Sequence, residues 1–204
     1  HRFFGRTKMH IVPGEHVLEI DDPSDLSVAT VLMAEQRVLS AADRLPESPS
    51  AVIFDFDGVF TDNTVIVLGD DREAVVANRS DGLGIANLRK TGLPLMVLSS
   101  EENQILAARC KKLRLPFKHG LTDKLEAFHQ WLTENNLERS SVVYVGNDSN
   151  DVSCLLAAGC GVVVADAHED AIKSADIVLE RSGGHGAVRE ISDMLISRME
   201  RNAE

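Results

Sequence analysis

The stretch AVIFDFDGVFTDN, residues 51–63, decides the fold. Ala51 to Phe54 is a short, uninterrupted apolar run that breaks into acids at Asp55 and Asp57. Such a run marks a strand buried on both faces of a parallel sheet, its polar tip emerging at the carboxyl edge. Gly58 permits a sharp turn directly afterwards. Two carboxylates crowded where a strand ends repel each other and invite a cation, most naturally the hard, oxygen-loving Mg²⁺. A metal would keep Asp55 ionised and nucleophilic, and Asp57 is placed to donate or accept a proton. A bare Asp-x-Asp also occurs as a solvated turn. The VIF strand before it, with Gly58-Val59 after it and Thr61-Asp62 close behind, favours the chemical reading.

Downstream, TVIVLGDDREAVVANR (64–79) reads as two alternating strands around a Gly-Asp-Asp turn, a hairpin. Helix 83–91, strand 93–100, helix 102–114 and an extended piece at 116–119 follow. Helix 122–136, strand 141–146, helix 149–158, strand 160–166, helix 168–175, strand 176–179 and helix 186–200 complete the series. Strands alternating with helices predict an α/β fold, a doubly wound parallel sheet whose ligand sits at the carboxyl ends of the strands. Upstream, ADRLPESPS (42–50) is a Pro- and Ser-containing connector, so the expected division is 1–49 and 50–204. Residues 1–26 read as a strand-and-turn remnant without its own core. A helix follows, with Ser27 as N-cap and Val28, Val31, Leu32, Glu35, Val38 and Leu39 at helical spacing.

Composition narrows the function. Of 204 residues, 44% are hydrophobic and 26% charged, as in ordinary globular chains. The formal net charge of -11 and the lack of a basic stripe argue against nucleic acid as a partner. The longest apolar runs, such as GCGVVVADA (159–167), are too short for a bilayer, and no membrane association is expected. Cys110, Cys154 and Cys160 have neither metal-ligand spacing nor an even count, so free thiols in the cytoplasm are expected. Cys154 and Cys160 read as core residues, His119 and His129, with no partner at metal-ligand spacing, as surface residues, and Phe128 and Trp131 as packing. The start at His1 rather than Met leads us to expect a piece of a longer polypeptide.

DFDGVFTD resembles the first motif of the haloacid dehalogenase phosphohydrolases, and the remaining motifs follow in order. VLSS supplies Ser99, GLTDKLEAF supplies Lys124, and YVGNDSND supplies Asn147, Asp148 and Asp151. The resemblance implies that Asp55 attacks phosphorus and that Asp57 protonates the leaving oxygen and later activates water. Ser99 and Lys124 would orient the phosphoryl oxygens. Mg²⁺ would be held by Asp55, by Asp57 through its main-chain carbonyl, and by Asn147, Asp148 or Asp151. The family has Asp where this chain has Asn147. Asn ligates only through a neutral amide oxygen, which implies weaker metal binding, with Asp148 or Asp151 taking over directly or through water.

With only the 64–79 hairpin in place of a cap domain, the chain resembles the minimal-cap phosphatases of 3-deoxy-octulosonate 8-phosphate and nonulosonate 9-phosphate sugars. The resemblance covers roughly 51–191. It implies a homotetramer assembled through the hairpin and a Gly-rich tail that reaches a neighbour's site. There Gly183, Gly184, His185 and Gly186 would offer N–H groups and a polar side chain to a sugar phosphate. ANRSDGLGI (77–85) resembles the family's segment after the hairpin and makes Arg79, Asp81 and Gly82 substrate-contact candidates, although Ser80 stands where the family has Arg. Glu101, where the octulosonate enzymes carry Arg, and Lys112 favour nine carbons over eight. Finally, HIVPGEHVLEIDDPSDLSVATVLMAE (10–35) resembles the last stretch of a CMP-sialic acid synthetase (acylneuraminate cytidylyltransferase). Three readings stand: a Mg²⁺-dependent nonulosonate 9-phosphate phosphatase attached to a cytidylyltransferase, an octulosonate 8-phosphate phosphatase, and a non-catalytic tetramerisation module.

Overall fold

A computed structural model describes residues 22–69 and 72–202. The chain divides into two compact units, His1–Ser40 and Ala41–Glu204. The strand-and-turn segment expected for 1–26 lies outside the described residues except at its end. Helix α1, Pro23–Ala42, begins earlier than Ser27. The Asp22 carboxylate accepts from the N–H groups of Ser24 and Asp25 at 2.7 and 3.1 Å and so performs the capping assigned to Ser27. The Ser27 hydroxyl instead donates to the Pro23 carbonyl.

In the second unit, the strands are β1 Ala51–Phe54, β2 Ile66–Val67, β3 Glu73–Ala74, β4 Leu95–Leu98, β5 Phe117–Lys118, β6 Val142–Gly146, β7 Cys160–Val163 and β8 Ile177–Val178. The helices are α2 Arg79–Lys90, α3 Gln104–Leu113, α4 Lys124–Glu134, α5 Val152–Ala157, α6 Glu169–Ser174 and α7 Ala187–Arg201. Six strands form one parallel sheet in the order β5-β4-β1-β6-β7-β8, the α/β architecture expected. Every residue of β1, β4, β6 and β7 is buried, because helices cover both faces. Strand side chains alternate, so Val52 and Phe54 pack into one core with Ile85, Leu88, Val188 and Ile191 of α2 and α7. Ala51 and Ile53 pack into the other with Phe128, Trp131 and Leu155 of α4 and α5, as the packing role of Phe128 and Trp131 required. Ala42 and Leu45, in the segment read as a linker, are buried in the first of these cores.

Several boundaries differ from expectation. Helix α2 starts at Arg79 rather than 83, because Asn78 accepts from the Ser80 N–H at 2.8 Å and caps it. The hairpin is reduced to Ile66 opposite Ala74 and Val67 opposite Glu73, and Asp70 and Asp71 of its turn lie outside the described residues. It leaves Val65, Ile66, Val67, Leu68 and Val76 exposed. The helix expected at 149–158 is a 3₁₀ turn, Ser149–Asp151, running into α5. All three cysteines are buried free thiols. His119 is half-buried rather than on the open surface, and it accepts the Asn103 N–H at 3.2 Å. Among the described residues no helix is long and apolar enough to cross a membrane.

The sheet's two-sided burial makes a quantitative expectation. Phe128 is fully buried and meets Tyr144 edge-on with ring centroids 6.2 Å apart. Phe128→Ala should cost about 3–5 kcal/mol in urea denaturation through lost transfer energy and a retained cavity.

Candidate active site

The three central strands end within one residue of one another, and the first residue beyond each is a polar one. Phe54 lies opposite both Val97 and Val145, so Asp55 is level with Leu98 and Gly146, and Ser99 and Asn147 emerge one residue further along at the same sheet edge. They line a cleft of about 130 Å³ together with Asp57, Asn63, Ser100, Glu101, Asp148 and Asn150. The Asp55 N–H donates to the Val145 carbonyl at 2.8 Å, fixing the first acid to the neighbouring strand. Gly58, at φ +78°, then reverses the chain, and its N–H donates to the Thr61 hydroxyl at 3.1 Å. A side chain at Gly58 would also collide with the Asn147 amide, a Cβ lying 2.0 Å from it.

Behind the cleft lies a buried charge cluster. Lys124, the first residue of α4, places Nζ 3.0 Å from Asp55 Oδ1 and 2.7 Å from Asp151 Oδ1. Asp151 also accepts from the Tyr144 hydroxyl at 2.7 Å on Oδ1 and from the N–H groups of Asn147 and Asp148 at 2.9 and 3.2 Å on Oδ2. Burial pushes the Asp55 carboxyl up to about 8, helped by the Asp151 charge and opposed by Lys124. Burial disfavours the Lys124 ammonium, but the charges of Asp55 and Asp151 outweigh it and hold the group above its ordinary value. Asp57 is raised to about 6 by burial and by the Glu101 charge, near the range where a carboxyl exchanges protons at neutral pH.

The oxygens present fit a hard cation. The inward-facing terminal atom of the Asn147 amide is 2.9 Å from the Asp57 carbonyl oxygen and 3.2 Å from Asp55 Oδ2. The buried Oδ2 of Asp57 has no hydrogen-bond partner among the described residues. Asp55, Asp57, Glu101 and Asp148 bring four carboxylates to the cleft, and no Lys or Arg is among the described residues lining it. An anion could not approach that surface without a cation to compensate it. No three His, Cys, Asp or Glu side chains converge on a metal position among the described residues. The set here is one carboxylate, one main-chain carbonyl and one amide, with Asp148 at the cleft wall.

Some expected site residues have other work. Asp151 is fully buried with its four hydrogen-bonding partners in place, so it holds Lys124 and the 147–148 backbone rather than a cation. Asp81 is fully buried and accepts from the Arg189 N–H at 2.9 Å, tying α2 to the start of α7. Gly82 follows it in the same turn of α2, and Arg79 and Lys112 are exposed; none of these lines the cleft. The Gly-rich segment also spends its N–H groups internally. Gly183 donates to Asp166 Oδ1 at 2.9 Å, Gly184 to the Val59 carbonyl at 3.0 Å and His185 to the Ser182 carbonyl at 3.1 Å. A Cβ at Gly183 would sit 1.9 Å from the Gly58 carbonyl, so this segment packs on the chain's own Asp55–Asp62 loop. The His185 ring remains exposed, its Nδ1 2.8 Å from the Gly183 carbonyl. Ser99 is buried at the cleft wall and accepts the Glu101 N–H at 3.2 Å.

Sequence reasoning missed Tyr144, Asp166 and the cleft residues Asn63, Ser100 and Asn150. Tyr144 carried a signal, being the chain's single tyrosine and set in an otherwise aliphatic strand, where a buried hydroxyl demands a partner. Asp166 ends a strand-like run as Asp55 does.

The edge brings together two acids, a buried ammonium and a hydroxyl on an α/β sheet, the set that the sequence resemblance associates with phosphoryl transfer. The profile of the haloacid dehalogenase-like hydrolases matches residues 101–191. The 3-deoxy-D-manno-octulosonate 8-phosphate phosphatase KdsC of Escherichia coli K12 is 32% identical over 151 residues, 74% of this chain and 80% of that protein. N-acylneuraminate cytidylyltransferase A of Danio rerio is 31% identical over 198 residues, 94% of this chain but 45% of that protein. The chain thus spans less than half the length of that relative. Among solved structures, a HAD family hydrolase from Streptomyces avermitilis is 45% identical with a TM-score of 0.73, over 74% of this chain and 88% of its own. The cobalt-bound deoxy-D-mannose-octulosonate 8-phosphate phosphatase of Haemophilus influenzae is 31% identical with a TM-score of 0.72, over 77% and 92%. The chain belongs to the haloacid dehalogenase-like hydrolases, among the relatives of the octulosonate 8-phosphate phosphatases.

The charge cluster yields a stability test. Asp151→Asn leaves Lys124 with one counter-charge and disturbs four hydrogen bonds, and should cost about 3–5 kcal/mol in chemical denaturation. Tyr144→Phe, which removes one of them, should cost about 1–2 kcal/mol.

Proposed function

We propose that this chain is a Mg²⁺-dependent phosphatase of a nonulosonate 9-phosphate, an acylneuraminate or its deaminated analogue. The observation that carries the reading is Asp55, held by Lys124 at the floor of a cleft whose walls are Asp57, Ser99 and Asn147. Asp55 attacks phosphorus in line, forming a P–O bond as the bond to the sugar oxygen breaks, and Asp57 gives that oxygen its proton. Water then attacks the aspartyl-phosphate, Asp57 takes up the proton, and phosphate leaves with the Asp55 carboxylate restored. Ser99 orients a phosphoryl oxygen through its hydroxyl, and the Lys124 ammonium behind Asp55 partly neutralises the phosphoryl charge. Asp55, the Asp57 carbonyl, Asn147 and Asp148 would hold the cation, which when bound supplies the positive charge the cleft lacks. The relative of known structure that carries cobalt supports a divalent cation here.

For the sugar, two observations favour nine carbons. Glu101, an acceptor for hydroxyl groups, lines the cleft, and similarity to N-acylneuraminate cytidylyltransferase A extends over nearly the whole chain. The similarity to octulosonate 8-phosphate phosphatases keeps the eight-carbon substrate as the alternative. A second role, compatible with the first, is assembly of a homotetramer beside an attached cytidylyltransferase in the cytoplasm. The row of exposed apolar side chains on the 64–79 hairpin favours it, Val67 being 74% exposed.

Phosphate release measured with Mg²⁺ across nonulosonate 9-phosphates and octulosonate 8-phosphate should show turnover that ranks the nine-carbon substrates first. Asp55→Asn should lower it by at least about a thousandfold. A folded protein inert toward every substrate would sink the enzyme reading and leave the assembly role. For that role, Val67→Glu should reduce the mass seen in analytical ultracentrifugation from tetramer toward monomer, and an unchanged mass would refute the hairpin as the interface.

A further inference from the structure

One terminal atom of the Asn147 amide faces two acceptors, and its being nitrogen or oxygen has opposite consequences. With its nitrogen inward, the amide donates to the Asp57 carbonyl oxygen at 2.9 Å and to Asp55 Oδ2 at 3.2 Å. Its oxygen then faces the donors on the far side, so both ends of the group are satisfied. With the oxygen inward and Asp55 ionised, three oxygens face one another with no proton between them, and the outward nitrogen meets only donors. That second arrangement is unfavourable by itself and becomes favourable only around a cation.

We infer that Asn147 is a cation-dependent switch: its amide closes the site as a hydrogen-bonded stand-in when no metal is bound and turns over to become an oxygen ligand when one is. The inference rests on the proposed divalent-cation site and adds to it a function for the amide that a carboxylate could not perform. An aspartate here would offer no donor to the Asp57 carbonyl or to Asp55, and would add a further negative charge beside Asp55 and Asp57. The amide is 6% exposed, and the Asp55–Asp62 loop is pressed on it at Gly58, so water is a poor substitute for the lost donor. The switch therefore exchanges metal affinity for a metal-free state in which the nucleophile's loop stays in place.

The test compares wild type with Asn147→Asp by three measurements that do not read activity. In EDTA, the Asn147 side-chain amide protons of ¹⁵N-labelled wild type should be protected from exchange, and their resonances should shift on saturation with Mg²⁺. Calorimetric titration with Mg²⁺ should show Asn147→Asp binding at least about tenfold more tightly, because ligand charge count sets the affinity of such sites. In EDTA the same variant should melt below wild type, and saturating Mg²⁺ should raise its melting temperature by more than it raises that of wild type. Equal Mg²⁺ affinity and equal melting in EDTA would overturn the switch, as would amide protons that exchange in EDTA like those of an exposed asparagine. Should Asn147→Asp fail to fold, the exchange measurement on wild type decides alone. Absence of Mg²⁺ binding by both proteins would overturn the cation site beneath the switch, whereas binding without any change at the amide overturns the switch only.

Discussion

Two buried carboxylates share one buried ammonium at the centre of this molecule, and the arrangement constrains everything around it. Lys124 lies between Asp55 and Asp151 at 3.0 and 2.7 Å, almost without access to solvent. Removing those charges from water costs several kcal/mol per ion, so the cluster persists only where the remaining lone pairs and protons are met. Asp151 meets that condition through the Tyr144 hydroxyl and two backbone N–H groups. Asp55 does not meet it to the same extent. Its carboxyl is raised to about 8 by burial and by Asp151, leaving it responsive to a proton or a cation at the cleft.

That imbalance separates structural from chemical groups. The acid that is saturated, Asp151, fixes the geometry of α4 and of the loop after β6. The acid that is not, Asp55, stands at the cleft with Asp57, whose Oδ2 has no partner among the described residues. The same division runs through the loop that bears them. Its backbone is tied down by the Gly58 N–H to Thr61, by the bond from Gly184 to the Val59 carbonyl, and by the close approach of Gly183 to the Gly58 carbonyl. A rigid loop carrying two incompletely satisfied acids is the form in which electrostatic preorganisation is stored, because the donors and charges need not move when a phosphoryl group arrives. The Asn147 amide belongs to this economy of donors, since it can satisfy the loop in the absence of a cation.

Much of this was legible in the sequence, and particular residues show why. The β1 run Ala51–Phe54 followed by acids specified a strand covered on both faces and ending at a site. The residues directly after β1, β4 and β6 (Asp55, Ser99 and Asn147) were each marked by an apolar run breaking into a polar residue. Helix starts were less legible. Asn78 caps α2 five residues before Leu83, the first apolar position of that helix, and Asp22 displaces Ser27 as the cap of α1, because several side chains near each start were competent to cap.

By itself, then, the sequence determined the alternation of strands and helices, the parallel sheet, and the strand ends that carry Asp55, Asp57, Ser99 and Asn147, whereas Lys124 was marked only by the family resemblance. Those properties follow from local periodicity and from strand-end polarity, which a chain carries in one dimension. Only the tertiary structure decided which polar groups were already spent. Asp81 reads like a substrate contact until it is found buried against the N–H of Arg189, 108 residues away. Asp151 reads like a metal ligand until its four partners are seen, and the glycines at 183 and 184 like N–H donors until Asp166 and Val59 are found to accept from them. A hydrogen-bonding group has a fixed number of partners, and folding, by bringing distant residues together, determines how many are left for a ligand.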